Sequence, residues 1–293
     1  MQDSAFVLFV LPAGLTVIMV SLGIALTPAD FRRVFVYPKG VGIGLANLLL
    51  ISPLLAFAIA EAFSLAPGLA VGLVILGASP GGAMANMLTH LARGDTALSV
   101  TMTAISSVAA VVTVPLFLGL AINHFGATGF DDSVNMPSVV ARVLAVTVLP
   151  LSIGMYLRHR YPERTQELEP KVKRVALGIF LLIVIGAVAS ERDRVLDNLE
   201  EAAAAAITLN LAAMTISFAI ARAARLSDRQ STAIALELGI HNSALAIAVA
   251  ATISTVLTIP AAVYSSFMFI SAGVFAKLMH ARNGRVASER APA

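Results

Sequence analysis

The sequence lacks cysteine and tryptophan and carries few charged residues. The absence of cysteine excludes disulfide bonds and cysteine-ligated metal sites. Charged residues make up 13% of the chain, about half of the ~25% that is usual in soluble domains. The sequence also contains no phosphate-binding loop, zinc-ligand spacing or serine-nucleophile pattern. These absences argue against an enzyme and indicate no resident cofactor.

Long apolar runs dominate the sequence. Hydrophobic residues account for 58% of the 293 residues, and they form runs of roughly 20 residues, which is the length of a membrane-spanning helix. The pattern predicts an all-α fold, a polytopic transmembrane helical bundle of about nine spans. We place these spans at residues 5–26, 41–63, 69–93, 96–123, 137–157, 175–190, 202–224, 229–254 and 260–279.

The distribution of basic residues predicts the orientation of the spans. Seventeen of the 20 lysines and arginines fall in alternate loops or in the C-terminal tail, whereas Arg192 and Arg194 lie on the other side. Basic residues accumulate on the cytoplasmic side of membrane proteins. We therefore expect a multi-pass protein of the cell (inner) membrane, with its N-terminus outside and its C-terminus cytoplasmic. The net charge of +3 reflects this topology and predicts no nucleic-acid partner.

A basic loop at residues 158–174 divides the chain into two predicted repeats. Residues 1–157 are assigned to a first repeat with four spans. Residues 175–281 hold the remaining spans of a second repeat, which the fifth span at 137–157 begins. Residues 282–293 are expected to form a polar cytoplasmic tail. One interrupted span in each half predicts an inverted repeat, an arrangement found in many secondary transporters.

Two spans contain residues that break helices. Pro80 removes a backbone donor, and Gly81 and Gly82 adopt backbone angles that other residues avoid. Gly239 marks a second interruption in the eighth span. Unwound backbone at membrane depth is tolerated only inside protein or along a cavity, so both breaks indicate a functional site. We place the breaks at residues 80–86 and 237–243.

Glu237 is the only acidic residue placed deep in a predicted span. A charge at the bilayer centre costs at least ~2.5–3.5 kcal/mol, so this carboxylate requires a cation, a partner or a proton. Asn86 supplies a neutral oxygen, as do Ser99 and Thr103, which share one helix face because they are four residues apart. The four side chains would form a one-carboxylate oxygen cage that matches Na⁺ in charge. A protonated structural carboxyl, with hydroxyls bonded to helix carbonyls, is the alternative.

The second half of each broken helix predicts contact with an anion. Helix N-termini offer free N–H groups and the positive end of the helix dipole. We expect such ends near Ala83 and Asn86, and near Asn242 and Ser243. Two such ends that converge at mid-membrane would bind an organic anion.

His241 leaves two further interpretations open. It follows Glu237 by four residues, so a continuous helix would allow a hydrogen bond between the two side chains. The pair would then serve a proton-coupled carrier, or His241 would be a polar packing residue. A non-transporting membrane sensor is a third possibility from a different class.

Motifs at both breaks carry a resemblance to a known family. In chain order they are Pro80-Gly81-Gly82 with Asn86, then Arg93-Gly94-Asp95 through Ala97-Leu98-Ser99 to Met102-Thr103, and finally Glu237-x-Gly239-x-x-Asn242-Ser243. A chain with this pair of motifs resembles the bile acid:sodium symporter family, in its nine-span bacterial form. The resemblance covers nearly the whole sequence from Gly14 onward.

The resemblance implies a panel domain and a core domain, with the two broken helices crossing in the core. It also implies two sodium sites behind that crossing. The residues that match the first site are Asn86, Ser99, Thr103 and Glu237. Those that remain for the second are Glu237, His241 and backbone carbonyls near Leu238 and Ile240.

Four positions depart from the pattern of that family. Leu48 and His241 stand where the family commonly has glutamines, Ala85 replaces a serine, and Ala83 replaces a threonine near the substrate. The resemblance implies Na⁺ as the coupling ion, and these departures leave the number of ions per chain at one or two.

The resulting hypothesis is a transporter in the lipid bilayer that couples Na⁺ to the symport of a bile-acid-like anion or a small carboxylate. It would work by alternating access. The sequence does not indicate an oligomeric state.

Overall fold

The computed structural model describes residues 9–126, 136–190, 196 and 199–289. The described residues form helices joined by short connections, so the all-α prediction is confirmed. The start of the first predicted span, Arg192, Arg194 and the end of the tail lie outside the described residues.

Helices follow one another through the described residues. They are α1 Leu11–Ala25, α2 Pro28–Val36, α3 Pro38–Ala46, α4 Ser52–Ala62, α5 Pro67–Ala78, α6 Ala83–Leu91, α7 Thr96–Phe125, α8 Met136–Val143, α9 Leu149–Arg160, α10 Pro162–Ser190, α11 Leu199–Ala223, α12 Asp228–Gly239, α13 Ser243–Ala251 and α14 Ile259–Glu289. Wider π-helical turns at Asn47–Ile51 and Leu144–Val148 join α3 to α4 and α8 to α9. A 3₁₀ turn at Thr255–Thr258 leads into α14.

Four stretches among the described residues are long and apolar enough to cross a membrane. The bent pair α1 and α2, whose axes differ by 61°, adds a fifth if it is counted as one span. The four stretches are Pro38–Ala62, Thr96–Phe125, Glu200–Ala223 and Thr255–Gly284. The described parts of the other predicted spans are also helical. Two of them are the interrupted spans, each of which consists of two shorter helices.

Local sequence explains where several helices begin. Pro28 starts α2 at the position that tolerates proline, and the Thr27 backbone N–H donates to Asp30 Oδ2 at 2.8 Å, as in a capping box. Ser227 and Gln230 form the same motif at the start of α12. Thr27 and Pro28 therefore determine where α2 begins.

The broken helices lie inside the protein. Every residue of α13 and the last nine residues of α12 are buried, and α5 is buried from Leu69 to Ala78. A helix that is apolar all round belongs in an interior. Protein therefore surrounds both breaks, as an unwound backbone in a membrane requires.

The segment predicted as a basic loop is largely helical. Only Tyr161 separates α9 from α10, so residues 162–174 belong to α10. Ion pairs stabilise this charged helix, with Glu169 Oε1 at 2.7 Å from Lys173 Nζ and Glu169 Oε2 at 3.4 Å from Arg158 Nη1. Pairs four residues apart stabilise exposed helices, and this explains why the charges did not end the helix.

The C-terminal segment is helical over most of its length. Helix α14 continues past Met279 to Glu289, so residues 282–289 of the predicted polar tail form helix. His280 Nδ1 lies 2.7 Å from the Leu91 carbonyl, and Asn283 Nδ2 donates to the Ala92 carbonyl at 2.9 Å. These contacts satisfy carbonyls at the C-terminus of α6, which have no partner within that helix.

We expect Asn283→Ala to lower the free energy of unfolding by about 1–2 kcal/mol, because it leaves a buried carbonyl without its donor. Thermal unfolding of the purified protein in detergent would measure the change. Asn123, exposed near the end of α7, provides the matched control, since Asn123→Ala should change stability by less than about 0.5 kcal/mol. Equal melting temperatures for the two variants would contradict a stabilising role for this contact.

Candidate functional site

The two breaks meet and exchange backbone hydrogen bonds. The Gly82 N–H donates to the Ile240 carbonyl at 2.7 Å, and the Asn242 N–H donates to the Pro80 carbonyl at 2.8 Å. Gly81 and His241 thus form an isolated antiparallel bridge. Each break supplies the partners that the other lacks, which is how buried backbone groups avoid a large desolvation cost.

Glu237 lies in the last turn of α12 beside this crossing and is fully buried. The Ser99 hydroxyl donates to Glu237 Oε2 at 2.8 Å, and the Thr103 hydroxyl contacts Oε1. Both hydroxyls come from one face of α7, whose N-terminus is capped by Asp95 accepting from the Leu98 N–H at 3.1 Å. The cap fixes the start of α7, and so it positions both hydroxyls.

Asn86 completes the cluster from α6. Its Oδ1 lies 2.8 Å from Ser99 Oγ and 3.2 Å from Thr103 Oγ1. Three acceptor oxygens, one from Asn86 and two from Glu237, therefore face two hydroxyls that carry one proton each. This surplus of acceptors fits a cation with oxygen ligands. The single carboxylate fits a monovalent ion, and the described residues hold no group of three His, Cys, Asp or Glu that would bind a metal ion.

Gly81 allows Glu237 to approach the crossing. A Cβ atom placed on Gly81 would lie 2.0 Å from Glu237 Oε1 and 2.5 Å from its carboxyl carbon. These distances are far below van der Waals contact, so only glycine leaves room for the carboxylate in this position. The break residue Gly81 and the acidic residue Glu237 are thus parts of one site.

A second polar cluster lies around the end of α12. His241 Nε2 is 2.9 Å from Ser52 Oγ, and His241 Nδ1 is 3.3 Å from the Tyr264 hydroxyl. Tyr264 donates to the Gly239 carbonyl at 2.9 Å and lies 3.4 Å from the Leu238 carbonyl. We call Ser52, Asn210, His241, Tyr264 and Ser271 the His241 cluster.

Asn210 of α11 links this cluster to the backbone. Its Nδ2 donates to the Gly239 carbonyl at 2.7 Å and to the Tyr264 hydroxyl at 2.9 Å. Its Oδ1 accepts from Ser271 Oγ at 2.5 Å. The Gly239 carbonyl, which has no partner within the helix, is therefore satisfied by side chains of α11 and α14.

The structure brings together four of the predicted sodium ligands, namely Asn86, Ser99, Thr103 and Glu237. The other three, Leu238, Ile240 and His241, were predicted for a second site with Glu237, and they lie outside this cluster. The His241 ring bonds Ser52 and Tyr264, and among the described residues it makes no hydrogen bond to Glu237. The Leu238 carbonyl faces Tyr264, and the Ile240 carbonyl accepts from the Gly82 backbone. The structural reason is the break itself, which ends α12 at Gly239 and so removes the helical register between residues 237 and 241.

The predicted substrate residues differ in accessibility. Ala83 is exposed at the N-terminus of α6, where no side chain caps the helix, and Asn86 is half-buried one turn later. Asn242 and Ser243 are buried at the N-terminus of α13, and Asn242 Oδ1 accepts from the Leu245 N–H at 3.1 Å. The end of α6 is thus open, whereas the end of α13 is capped by its own side chain.

Four residues of the His241 cluster were missed from the sequence, namely Ser52, Asn210, Tyr264 and Ser271. Asn210 and Tyr264 are polar residues within apolar spans, which is a usable signal because such residues need a partner in a membrane. Ser52 carries no comparable signal, since a serine hydroxyl satisfies itself by bonding a helix carbonyl.

The first break is narrower than the predicted range of residues 80–86. Helix α6 already begins at Ala83, so Asn86 lies within that helix.

The chain is similar in sequence to known membrane transporters. A family model described as the sodium bile acid symporter family matches residues 12–198. A probable chloroplastic sodium/metabolite cotransporter of Arabidopsis thaliana is 28% identical over 237 residues, covering 81% of this chain and 58% of the plant protein. The chain therefore spans little more than half the length of that relative.

Two further relatives match over a larger share of their own length. An uncharacterized sodium-dependent transporter of Bacillus subtilis is 28% identical over 263 residues, which covers 89% of this chain and 80% of the relative. The ileal sodium/bile acid cotransporter of Oryctolagus cuniculus is 28% identical over 275 residues, with 91% and 77% covered. The match to these bacterial and animal relatives thus extends over about nine-tenths of the chain.

Proposed function

The chain belongs to the sodium bile acid symporter family, and on that premise we propose that it is a secondary transporter coupling the entry of Na⁺ to the uptake of an organic anion. The family is one of membrane transporters, and no enzyme activity is proposed. The anion would be bile-acid-like or a small carboxylate, since the relatives are named for metabolites and bile acids.

One observation carries the sodium part of the proposal. Glu237 is fully buried beside two hydroxyls and an amide oxygen, and no basic side chain pairs with it in the described residues. An ionised carboxylate buried without a partner is strongly unfavourable. Na⁺ bound among Asn86, Ser99, Thr103 and Glu237 would supply the missing charge. It would also tie α6, α7 and α12 together.

The anion would bind at the open N-terminus of α6. Backbone N–H groups after Gly82 and the positive end of the α6 dipole favour a carboxylate there, and Ala83 is exposed. Asn86 lies at the boundary between this end and the proposed Na⁺ site. Na⁺ bound to Asn86 Oδ1 would therefore orient the residue that faces the anion, which gives a physical link between the two ligands.

We also propose the nine-span topology with an inverted repeat of panel and core domains. The antiparallel pairing of the two breaks is what two halves of opposite orientation would produce. The ends of α6 and α14 meet the start of α12 at one end of the molecule, where Arg282 Nη2 lies 2.9 Å from Asp228 Oδ1. The ends of α4 and α7 meet at a separate place, where His124 Nε2 lies 2.5 Å from Glu61 Oε1. The helix ends that meet near Asp228 carry arginine, as expected for the cytoplasmic side.

Uptake experiments would test the function. The purified protein would first be screened by thermal shift with small carboxylates and sterol anions, each with Na⁺ and with choline. The anion that stabilises most would then be used for uptake into proteoliposomes. We expect uptake at least about tenfold faster with external Na⁺ than with choline, because Na⁺ bound to Asn86 would orient the residue that faces the anion. Uptake that is unchanged by replacing Na⁺ with choline would refute sodium coupling.

A further inference from the structure

We propose that this protein binds one Na⁺ per chain, because hydrogen bonds from Tyr264, Asn210 and His241 fill the other polar region of the crossing. The inference rests on the proposed function, since it specifies the number of ions that the same crossing holds. It concerns the His241 cluster, which lies at the end of α12 and is distinct in its contacts from the cluster around Glu237.

The carbonyls at the end of α12 are the first evidence. A carbonyl oxygen has two lone pairs, and the Gly239 carbonyl already accepts from Asn210 Nδ2 at 2.7 Å and from the Tyr264 hydroxyl at 2.9 Å. The Ile240 carbonyl also has a donor, the Gly82 N–H at 2.7 Å, and the Leu238 carbonyl lies 3.4 Å from the Tyr264 hydroxyl, whose single proton is donated to Gly239. A cation here would have to displace donors that the protein itself supplies.

The His241 side chain gives the second piece of evidence. Its two ring nitrogens lie within hydrogen-bonding distance of the Ser52 and Tyr264 hydroxyls, so both nitrogens already have partners. The ring also packs edge-on against Tyr264, with centroids 5.8 Å apart. His241 is only 1% exposed, so it is fixed in place on all sides.

The position of Leu48 offers no further ligand. Leu48, in the π-helical turn between α3 and α4, is fully buried and belongs to the same hydrophobic group as Leu238, Met102 and Ile234. Its side chain contains no oxygen atom, whereas Na⁺ requires several oxygen ligands. Glu237, the one carboxylate at the crossing, is already engaged by the hydroxyls of α7. The His241 cluster therefore replaces an ion with internal hydrogen bonds.

A single ion has a direct consequence for energetics. Symport of one Na⁺ with a monovalent anion moves no net charge, so the membrane potential would not drive it. Accumulation would then be limited by the sodium concentration gradient alone. A second ion would add the membrane potential, which is worth ~2.3 kcal/mol per charge at 100 mV.

Equilibrium binding of ²²Na⁺ to the purified full chain would test the inference, with choline as the competing-salt control. We expect one Na⁺ per chain and a Hill coefficient of 1 for the unmodified protein. Glu237→Gln should reduce binding at least tenfold. Tyr264→Phe should leave the stoichiometry at one, as should the matched control Tyr156→Phe, since Tyr156 is 62% exposed.

The outcomes separate this inference from the function on which it rests. Two Na⁺ per chain in the unmodified protein would overturn the inference while leaving sodium coupling in place. If the Glu237→Gln variant still binds one Na⁺ and the Tyr264→Phe variant binds none, the inference would also be overturned. The ion would then lie in the His241 cluster. Absence of any Na⁺ binding would refute the proposed sodium coupling itself, and the inference with it.

Discussion

Replacing Glu237 with glutamine should abolish Na⁺-dependent uptake. The amide keeps the size and the hydrogen-bonding oxygen of the side chain, but it removes the only carboxylate among the proposed ligands. Loss of the charged carboxylate should reduce the binding free energy of Na⁺ by about 3 kcal/mol. This change corresponds to about a hundredfold weaker Na⁺ binding. Uptake into proteoliposomes at a fixed Na⁺ concentration would show the loss.

A thermal-shift measurement distinguishes this effect from misfolding. The unmodified protein should be stabilised by Na⁺, because an ion that binds only the folded state shifts the unfolding equilibrium. Glu237→Gln should fold without Na⁺ and show no such shift. Glu61 provides the control, since its side chain is 60% exposed and paired with His124, and Glu61→Gln should retain both uptake and the shift. Wild-type sodium dependence in Glu237→Gln would remove this residue from the mechanism.

Gly81→Ala should have a comparable effect although alanine adds only one methyl group. The new Cβ would lie 2.0 Å from Glu237 Oε1, and the backbone of Gly81 cannot retreat because its neighbours Pro80 and Gly82 bond the other break. The carboxylate must therefore turn away from Ser99 and Thr103. We expect at least about tenfold weaker Na⁺ binding and a loss of about 1–3 kcal/mol in stability, the range for overpacked interiors.

The matched control for this substitution is Gly42→Ala. A Cβ atom on Gly42 would meet no other atom within 4 Å, so the same chemical change should leave Na⁺ binding and the melting temperature unaltered. ²²Na⁺ binding and thermal unfolding of both variants would give the comparison. A Gly81→Ala protein that matches the Gly42→Ala protein in both measurements would contradict the close approach between Gly81 and Glu237.

The sequence predicted the parts of the site whose signals are local. Pro80 and the adjacent glycines break a helix wherever they occur, and a carboxylate such as Glu237 is conspicuous in an apolar run. The four-residue spacing of Ser99 and Thr103 placed both hydroxyls on one face of a helix. These features need no knowledge of the remaining fold, and the structure brings Asn86, Ser99, Thr103 and Glu237 into one cluster.

The parts that were not predicted depend on contacts between distant residues. The His241 ring meets Ser52, which is 189 residues away in sequence, so the sequence alone could not decide between a pair with Glu237 and a polar packing role for His241. The charged segment 162–174 looked like a loop because its composition is polar, but ion pairs along α10 keep it helical. In the same way, contacts with α6 explain why α14 continues beyond Met279.

The pairing of the two breaks has a consequence for how the protein is made. Ser99 and Glu237 are separated by 138 residues, so at 5–20 residues per second the ribosome needs about 7 to 28 seconds between them. During that interval the Pro80 carbonyl and the Gly82 N–H have no partner, because Asn242 and Ile240 do not yet exist. In the nascent first half, these two backbone groups therefore need water or another polar partner. Biogenesis of the crossing is thus a late step, completed only when the second half enters the bilayer.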